Sequence, residues 1–259
     1  ARLEDALFYF NKDKKTLLKD LRESLTNINF HPKLGSYADK VRRLNDLTEY
    51  LYKTILKQKI SDNLKDAFTL IKNDKATHLV SEFSKLEGVV GMNYALSQGY
   101  SKEVSAILSE HYLPTSDTSH LPSTDDSRYL SLLDKLDNIV AFSSVGELPK
   151  GSNDPYEIRK IVYNLIRLIK ESKIDLDFNE LFNYNFSLLN SNIIYNDKIK
   201  GEIAHFINQR IYQIFKSQTE NDRLAKGIAF SNTYNFYMKF VLFDELVRLI
   251  KDSAKSDLI

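Results

Sequence analysis

The chain has 259 residues, 42% of them hydrophobic and 27% charged, with a formal net charge of +1 and no cysteine. That length supports one large domain or two modest ones, each with its own core. A near-neutral balance excludes a general polycation, so any nucleic-acid binding needs a local basic patch. The missing cysteines exclude disulfides, thiolate zinc sites and cysteine nucleophiles, and fit a cytoplasmic protein. No apolar run approaches the roughly eighteen residues of a membrane span, and no basic-then-apolar leader opens the chain. The first residues, Ala1-Arg2-Leu3-Glu4-Asp5, lack an initiator Met and already show helical spacing, as expected of a piece of a longer protein.

The pattern predicts an all-α fold. Only eight glycines and five prolines punctuate the chain, and alternating strand patterns joined by Asn-Gly or Asp-Gly turns are absent. Leu3, Ala6, Leu7 and Phe10 follow i, i+3, i+4, i+7 spacing, and the helix is expected to run on through Leu17, Leu18, Leu21 and Leu25. Phe30-His31-Pro32 breaks it. A second helix follows Gly35-Ser36, with Val41, Leu44, Leu47, Leu51 and Ile55 on one face. A third spans about Ser61 to Lys72 and a fourth Thr77 to Phe83. Gly88-Val89-Val90-Gly91 then marks a bend or a close backbone approach. Another helix covers Lys102 to His111. The Ser-, Thr-, Asp- and Pro-rich stretch from Thr115 to Ser127 reads as a surface loop, with helix again from Arg128 to Phe142. Asp154-Pro155-Tyr156-Glu157 reads as N-cap, N1 and N3 of a helix reaching about Lys170. Past Lys173 the composition shifts to Asn, Tyr, Phe and Ile. We therefore divide the chain into residues 1–174 and 175–259, the second a small helical bundle with its clearest helices at Glu202 to Phe215 and Tyr237 to Ile250.

Catalytic signals are sparse. There is no Gly-x-Ser-x-Gly, Gly-x-x-x-x-Gly-Lys-Ser/Thr or Gly-x-Gly-x-x-Gly motif, and no catalytic residue is assigned. His31, Asp74 and Asp134 are the best candidates for a metal site, because histidine and carboxylates on separate helices hold the divalent ion of helical HD phosphohydrolases. Those enzymes need a His-Asp doublet. The nearest equivalent here is Lys72-Asn73-Asp74, and a lysine at a ligand position opposes metal binding, so no metal ligand is assigned. Asp134 and Asp137 share a helical face and, with Lys135 beside them, read as salt-bridged rather than as acid–base partners. His78 and His111 read as structural, His120 as solvated and His205 as packed on an apolar helix.

Basic residues are the more useful signal. Lys33, Lys40, Arg42 and Arg43 gather at the start of the second helix. Lys150, Arg159, Lys160 and Arg167 gather around Gly151-Ser152-Asn153-Asp154-Pro155. Both groups are candidates for phosphate pairing, and a solvated charged face is the competing interpretation. Tyr234, Phe236 and Tyr237 are candidates for stacking on unpaired bases.

Six segments occur in an order and spacing that resemble the β subunit of bacterial two-subunit glycyl-tRNA synthetase. They are Ala1-Arg2-Leu3-Glu4-Asp5-Ala6-Leu7-Phe8, Phe30 to Ser36 with Asp39-Lys40-Val41-Arg42-Arg43-Leu44, Lys72-Asn73-Asp74-Lys75, Glu82 to Gly91, Leu133 to Asp137, and Gly151 to Pro155. The match covers residues 1 to 170. Lys75 stands where the family carries Leu, and Thr219 to Asn235 departs from the pattern. The resemblance implies that 1–174 is a degenerate HD-like helical domain, with His31, Asp74 and Asp134 at vestigial positions. It implies that 175–259 is part or all of an anticodon-binding domain like that of arginyl-tRNA synthetase. The whole enzyme would join glycine to tRNA(Gly) with ATP and Mg²⁺ as an α₂β₂ assembly with its α subunit. This portion would hold tRNA without an adenylation site or a cofactor of its own, and without a membrane. The alternatives are a metal-dependent HD-type phosphohydrolase and a helical subunit-interaction scaffold.

Overall fold

In a computed structural model the described residues are 2–190, 193 and 196–256. They form an all-α protein with a single small hairpin. Two compact units emerge, Ala1–Asp137 with Leu188–Ser191, and Asn138–Ser187 with Asn192–Ile259. The division falls within one long helix. The composition change at 173–178 lies inside the second unit.

The first unit opens with α1 (Arg2–Asp13). This helix does not run on to Leu25. Asp13 ends it and turns its carboxylate onto the start of α4 (His78–Glu82), accepting the amides of His78 and Leu79 at 2.9 and 3.0 Å and the Tyr94 hydroxyl at 3.2 Å. The acceptor sits where a helix start exposes unpaired N–H groups. Leu18–Leu21 and Glu23–Asn27 are 3₁₀ turns that bury Leu18 and Leu25.

The hairpin, β1 (Asn29–His31) with β2 (Gly35–Ser36), is a strand pair that the sequence pattern did not show. It delivers the chain into α2 (Tyr37–Tyr50) through a capping box. Ser36 Oγ accepts the Asp39 amide and Asp39 accepts the Ser36 amide. A π turn, Leu51–Ile55, extends α2. Then follow α3 (Asp62–Phe68), a 3₁₀ turn at Asn73–Ala76, α4, α5 (Val89–Ser97) and α6 (Lys102–Glu110). Gly88 has φ +77°, and its amide donates to Asp74 at 2.5 Å, so the Gly-Val-Val-Gly stretch is both a bend and a close approach. The first part of α7 (Asp125–Ser144) completes the unit and buries Leu130, Leu133 and Leu136 fully.

The second unit holds the end of α7, α8 (Ile158–Glu171), α9 (Phe178–Ser187), α10 (Asp197–Lys216), α11 (Asp222–Ala229) and α12 (Phe236–Ser256). The α8 helix starts one residue past Glu157, which takes a left-handed conformation. Asp154 still caps it, accepting the amides of Ile158 and Arg159 at 2.8 and 3.0 Å. The α8 helix packs against α10 and α12, and α11 bridges those two. That packing explains why the turn at Lys173 does not separate the compact units. The core is aromatic. Phe236, Phe240 and Phe243 recur on one face of α12, and Phe215 stacks on Phe243 with centroids 3.9 Å apart.

Candidate functional site

In the first unit, α2, the turn after α3, and α7 bring buried charges together. Asp134 and Asp137 lie one turn apart on α7, facing α2. Lys40 Nζ lies 3.0 Å from Asp134 Oδ1 and 3.0 Å from Asp137 Oδ2. Arg43 grips Asp137 in a two-point fork, Nε to Oδ1 at 2.8 Å and Nη2 to Oδ2 at 3.0 Å. Lys72, held in a left-handed conformation at φ +62°, places Nζ 3.0 Å from Asp134 Oδ2 and 3.8 Å from the centre of the Tyr112 ring. The carboxylates are salt-bridged as the spacing suggests, but the partners are Lys40, Arg43 and Lys72. Lys135 turns away and donates to the carbonyls of Leu113 and Tyr112 at 2.8 and 3.2 Å and to Ser131 Oγ at 2.8 Å.

This packing sets the protonation states. Burial works against the Asp134 carboxylate, but the Lys40 and Lys72 ammonium groups outweigh it and hold its pKa well below the carboxylate range. Asp137 is lowered in the same way by Lys40 and Arg43. Burial pulls Lys72 down to about 8 and Lys135 to about 7, with Asp134 opposing. Burial likewise drives His111 well below the usual imidazole value and Tyr112 well above the usual phenol value.

The three vestigial positions have separate partners. His31 Nδ1 accepts the Lys33 amide at 3.1 Å. Asp74 accepts the Gly88 amide, and burial raises its pKa. Asp134 is ion-paired at both oxygens. Among the described residues no three His, Asp or Glu side chains are grouped to hold a metal ion. The Asp134 oxygens that would face a divalent ion face two ammonium groups, and that charge arrangement repels a cation. This geometry disfavours the phosphohydrolase alternative.

The first basic group divides. Lys33 and Arg42 are exposed, with Arg42 pairing to Asp39 at 3.1 Å. Lys40 and Arg43 are not on a surface, contrary to the charge pattern, because Asp134 and Asp137 draw them into the core. The second group stays accessible. Lys150 and Lys160 are exposed, Arg159 and Arg167 partly so. Arg159 donates to the Gly151 carbonyl, Lys160 lies 3.3 Å from Glu157, and Arg167 donates to Glu171 at 2.9 Å. Two residues absent from that reading join them. Tyr163, 43% exposed, lies between Lys160 and Arg167 on the same face of α8. Arg210 on α10 is close enough to Arg159 for the two charges to oppose each other. Helical spacing at 160, 163 and 167 was the available signal for Tyr163. Nothing local in the sequence pointed to Arg210.

The aromatic candidates also divide. Phe236 is buried against Phe178, with centroids 5.2 Å apart, and is not a free stacking face. Tyr234 and Tyr237 are half-buried, and the Lys200 ammonium lies 5.4 Å from the centre of the Tyr234 ring. His205 is exposed rather than packed, with its Nε2 2.9 Å from Gln209 Nε2. His111 is buried, its Nδ1 3.1 Å from the Ile107 carbonyl. His78 pairs with Asp13 at 2.8 Å, and His120 is exposed.

The sequence model of the glycyl-tRNA synthetase beta subunit family matches residues 1–229. The chain belongs to that family. It is 35% identical to the glycine–tRNA ligase beta subunit of Persephonella marina (strain DSM 14350 / EX-H1), an alignment covering 100% of this chain and 38% of that protein. It is 42% identical to the subunit of Sulfurihydrogenibium sp. (strain YO3AOP1), over 96% of this chain and 35% of that protein. The subunit of Lactobacillus acidophilus (strain ATCC 700396 / NCK56 / N2 / NCFM) is 38% identical over 82% of this chain and 32% of its own length. The chain therefore spans about a third of the length of these relatives. The family segments have structural work in the first unit. Phe30–Ser36 forms the hairpin and caps α2, Lys72–Lys75 and Leu133–Asp137 supply the buried ion network, and Glu82–Gly91 supplies the glycine amide on Asp74. No helix among the described residues is long and apolar enough to cross a membrane.

Proposed function

We propose that this chain is a tRNA-holding portion of the β subunit of a cytoplasmic glycine–tRNA ligase. The complete enzyme would join glycine to tRNA(Gly) at the expense of ATP, releasing AMP and diphosphate, as an α₂β₂ assembly. ATP, Mg²⁺ and the adenylation chemistry belong outside this chain, with the α subunit. Residues 1–174 serve as a degenerate HD-like domain whose ion network has replaced a metal centre. Residues 175–259 serve as part of an anticodon-binding module.

The observation that carries this reading is the accessible face of α8, where Lys160, Tyr163 and Arg167 interleave cations with an exposed ring and Arg159 and Lys150 extend the basic surface. Cations placed this way pair with phosphates, and an exposed ring adds a surface for bases. Family membership supports tRNA as the partner of that surface.

The test is binding of the chain to glycine tRNA and to one non-cognate tRNA at two salt concentrations. The expected result is affinity that falls steeply with salt and favours the glycine tRNA. Equal affinity for both would reduce the role to backbone holding. No binding at low salt would remove the RNA role. That last outcome would favour the scaffold reading, which rests on exposed Met238, Val241, Leu242, Leu249 and Ile250 along α12.

A further inference from the structure

On the second unit, α10 and the end of α11 border an open cavity of about 530 Å³ lined by Gln209, Arg210, Tyr212, Gln213, Lys226 and Phe230. Its lining combines two cations, two amides and two aromatic rings, with no carboxylate among these residues. The rings are held in place. The Phe230 amide donates to the Lys226 carbonyl at 3.1 Å, and the ring lies 6.2 Å from Tyr212 and 5.3 Å from the exposed His205 ring, centroid to centroid. The Tyr212 hydroxyl donates to Asp222 at 2.6 Å, which fixes that ring and engages a neighbouring carboxylate. Lys216, 3.5 Å from Asp222, engages it further.

The polar groups are only partly used. Arg210 lies on the Phe206 ring at 3.8 Å and bonds the Phe206 carbonyl and Gln209 through Nη1. The Lys226 ammonium and the Gln213 side-chain amide are exposed and make no hydrogen bond among the described residues, although the Lys226 charge also acts on Asp222. An amide offers a donor and an acceptor on one plane, as the edge of a nucleobase does. A π face beside that amide suits a base, and a neighbouring cation suits its phosphate. An acidic peptide would use the cations and could bond the amides, but its carboxylates gain nothing from the two ring faces. A duplex hides its base faces, so the cavity suits an unpaired nucleotide.

We propose that this cavity is a subsite for one unpaired RNA nucleotide, with the base against Phe230 and Tyr212, its edge read by Gln213, and its phosphate at Arg210 and Lys226. The inference rests on the RNA-holding role proposed above and adds the place and the single-stranded character of the contact. None of its lining residues stands out in the sequence pattern.

The experiment titrates the whole chain against three labelled probes at one salt concentration. They are a mixed-sequence single-stranded RNA hexamer, a blunt RNA duplex and glycine tRNA, each with and without polyglutamate as competitor. Two variants accompany the wild type. Lys226→Gln with Gln213→Ala alters only exposed side chains in the cavity, and Lys150→Gln with Lys160→Gln alters the separate basic face. The expected result is a hexamer bound more tightly than the duplex. The cavity variant should weaken the hexamer about tenfold while leaving the duplex affinity and the melting temperature unchanged. The basic-face variant should weaken tRNA instead. Unchanged hexamer affinity in the cavity variant would overturn the subsite while tRNA binding kept the RNA-holding role intact. Displacement of the hexamer by polyglutamate at equal charge would overturn it in favour of an acidic-peptide surface. Absence of binding to all three probes would remove both readings.

Discussion

The two units bury lysine in different ways. In the first, Lys40 and Lys72 meet carboxylates from a helix 62 to 97 residues away in sequence, and Arg43 shares one of them. In the second, Lys239 is 1% exposed and meets only neutral groups, Asn208 at 2.9 Å and the carbonyls of Ala229 and Ser231 at 2.8 and 3.0 Å. Those partners lie 8 to 31 residues away, and two of them are carbonyls at or just past the end of α11, where a cation is favoured. Burial brings Lys72 and Lys239 to the same pKa of about 8, since Lys40 and Lys75 offset part of what Asp134 contributes at Lys72. Both lysines are lowered by burial, yet the consequences differ. A charge network fixes the register of distant segments and is badly damaged by losing one member, whereas a dipole cradle is local and fails more gently.

The largest expected effect is in the network. Asp137→Asn leaves Lys40 and Arg43 buried beside a neutral side chain and should destabilise the first unit by about 3–5 kcal/mol. Urea unfolding would show it as a large drop in midpoint. A loss below about 1 kcal/mol would mean that the network is solvated and that the contrast with Lys239 is false.

Within the same unit, Asp74 is a buried carboxylate held by a backbone dipole, the Gly88 amide. Gly88→Ala places a side chain at φ +77° with its Cβ 2.8 Å from the Tyr112 ring, so backbone strain and overlap act together. A loss of about 2–3 kcal/mol is expected, read again from the urea midpoint. If the variant unfolds like the wild type, the turn adapts, and Asp74 does not depend on that amide.

The dipole cradle should yield less. Lys239→Met keeps the buried stem but leaves Asn208 and two carbonyls without their donor, at about 1–2 kcal/mol. A loss equal to that of Asp137→Asn would erase the distinction between the two settings.

How much of this was visible in sequence follows from the range of each interaction. The amphipathic face of α2 was legible because periodicity reports burial directly, and α8 and α12 were legible as helices though not by face. The Asp154 cap and the Ser36 turn were legible because caps are local. The end of α1 was not, since Asp13 is recruited by amides 65 and 66 residues away. The same reason hid the fate of Lys40 and Arg43. Their neighbours in sequence made them a surface cluster, and only α7 supplies the carboxylates that draw them inward. The opposing lysine was legible at Lys72, because a cation in a ligand position is visible in one residue. The cavity at Phe230 was illegible, as its rings and amides come from two helices with no shared motif.

The smallest effect is a pH dependence specific to Lys239. Its folded pKa of about 8 lies below the ordinary lysine value of 10.5. Below about pH 8 both folded and unfolded chains carry the proton, and the burial penalty is present in full. Between about 8 and 10.5 the folded lysine releases its proton first, the unfolded chain binds more protons, and stability rises with pH. Wild-type protein should therefore gain about 1.3 kcal/mol over the Lys239→Met variant between pH 7 and 9. Above about pH 10 the trend reverses for both proteins, because burial holds the Tyr94 and Tyr112 phenols protonated in the folded chain while the unfolded chain ionises them. A difference between the two proteins that stays flat from pH 7 to 9 would show that the carbonyl cradle keeps Lys239 fully charged. Neutral dipoles would then hold a buried ammonium as firmly as a carboxylate does.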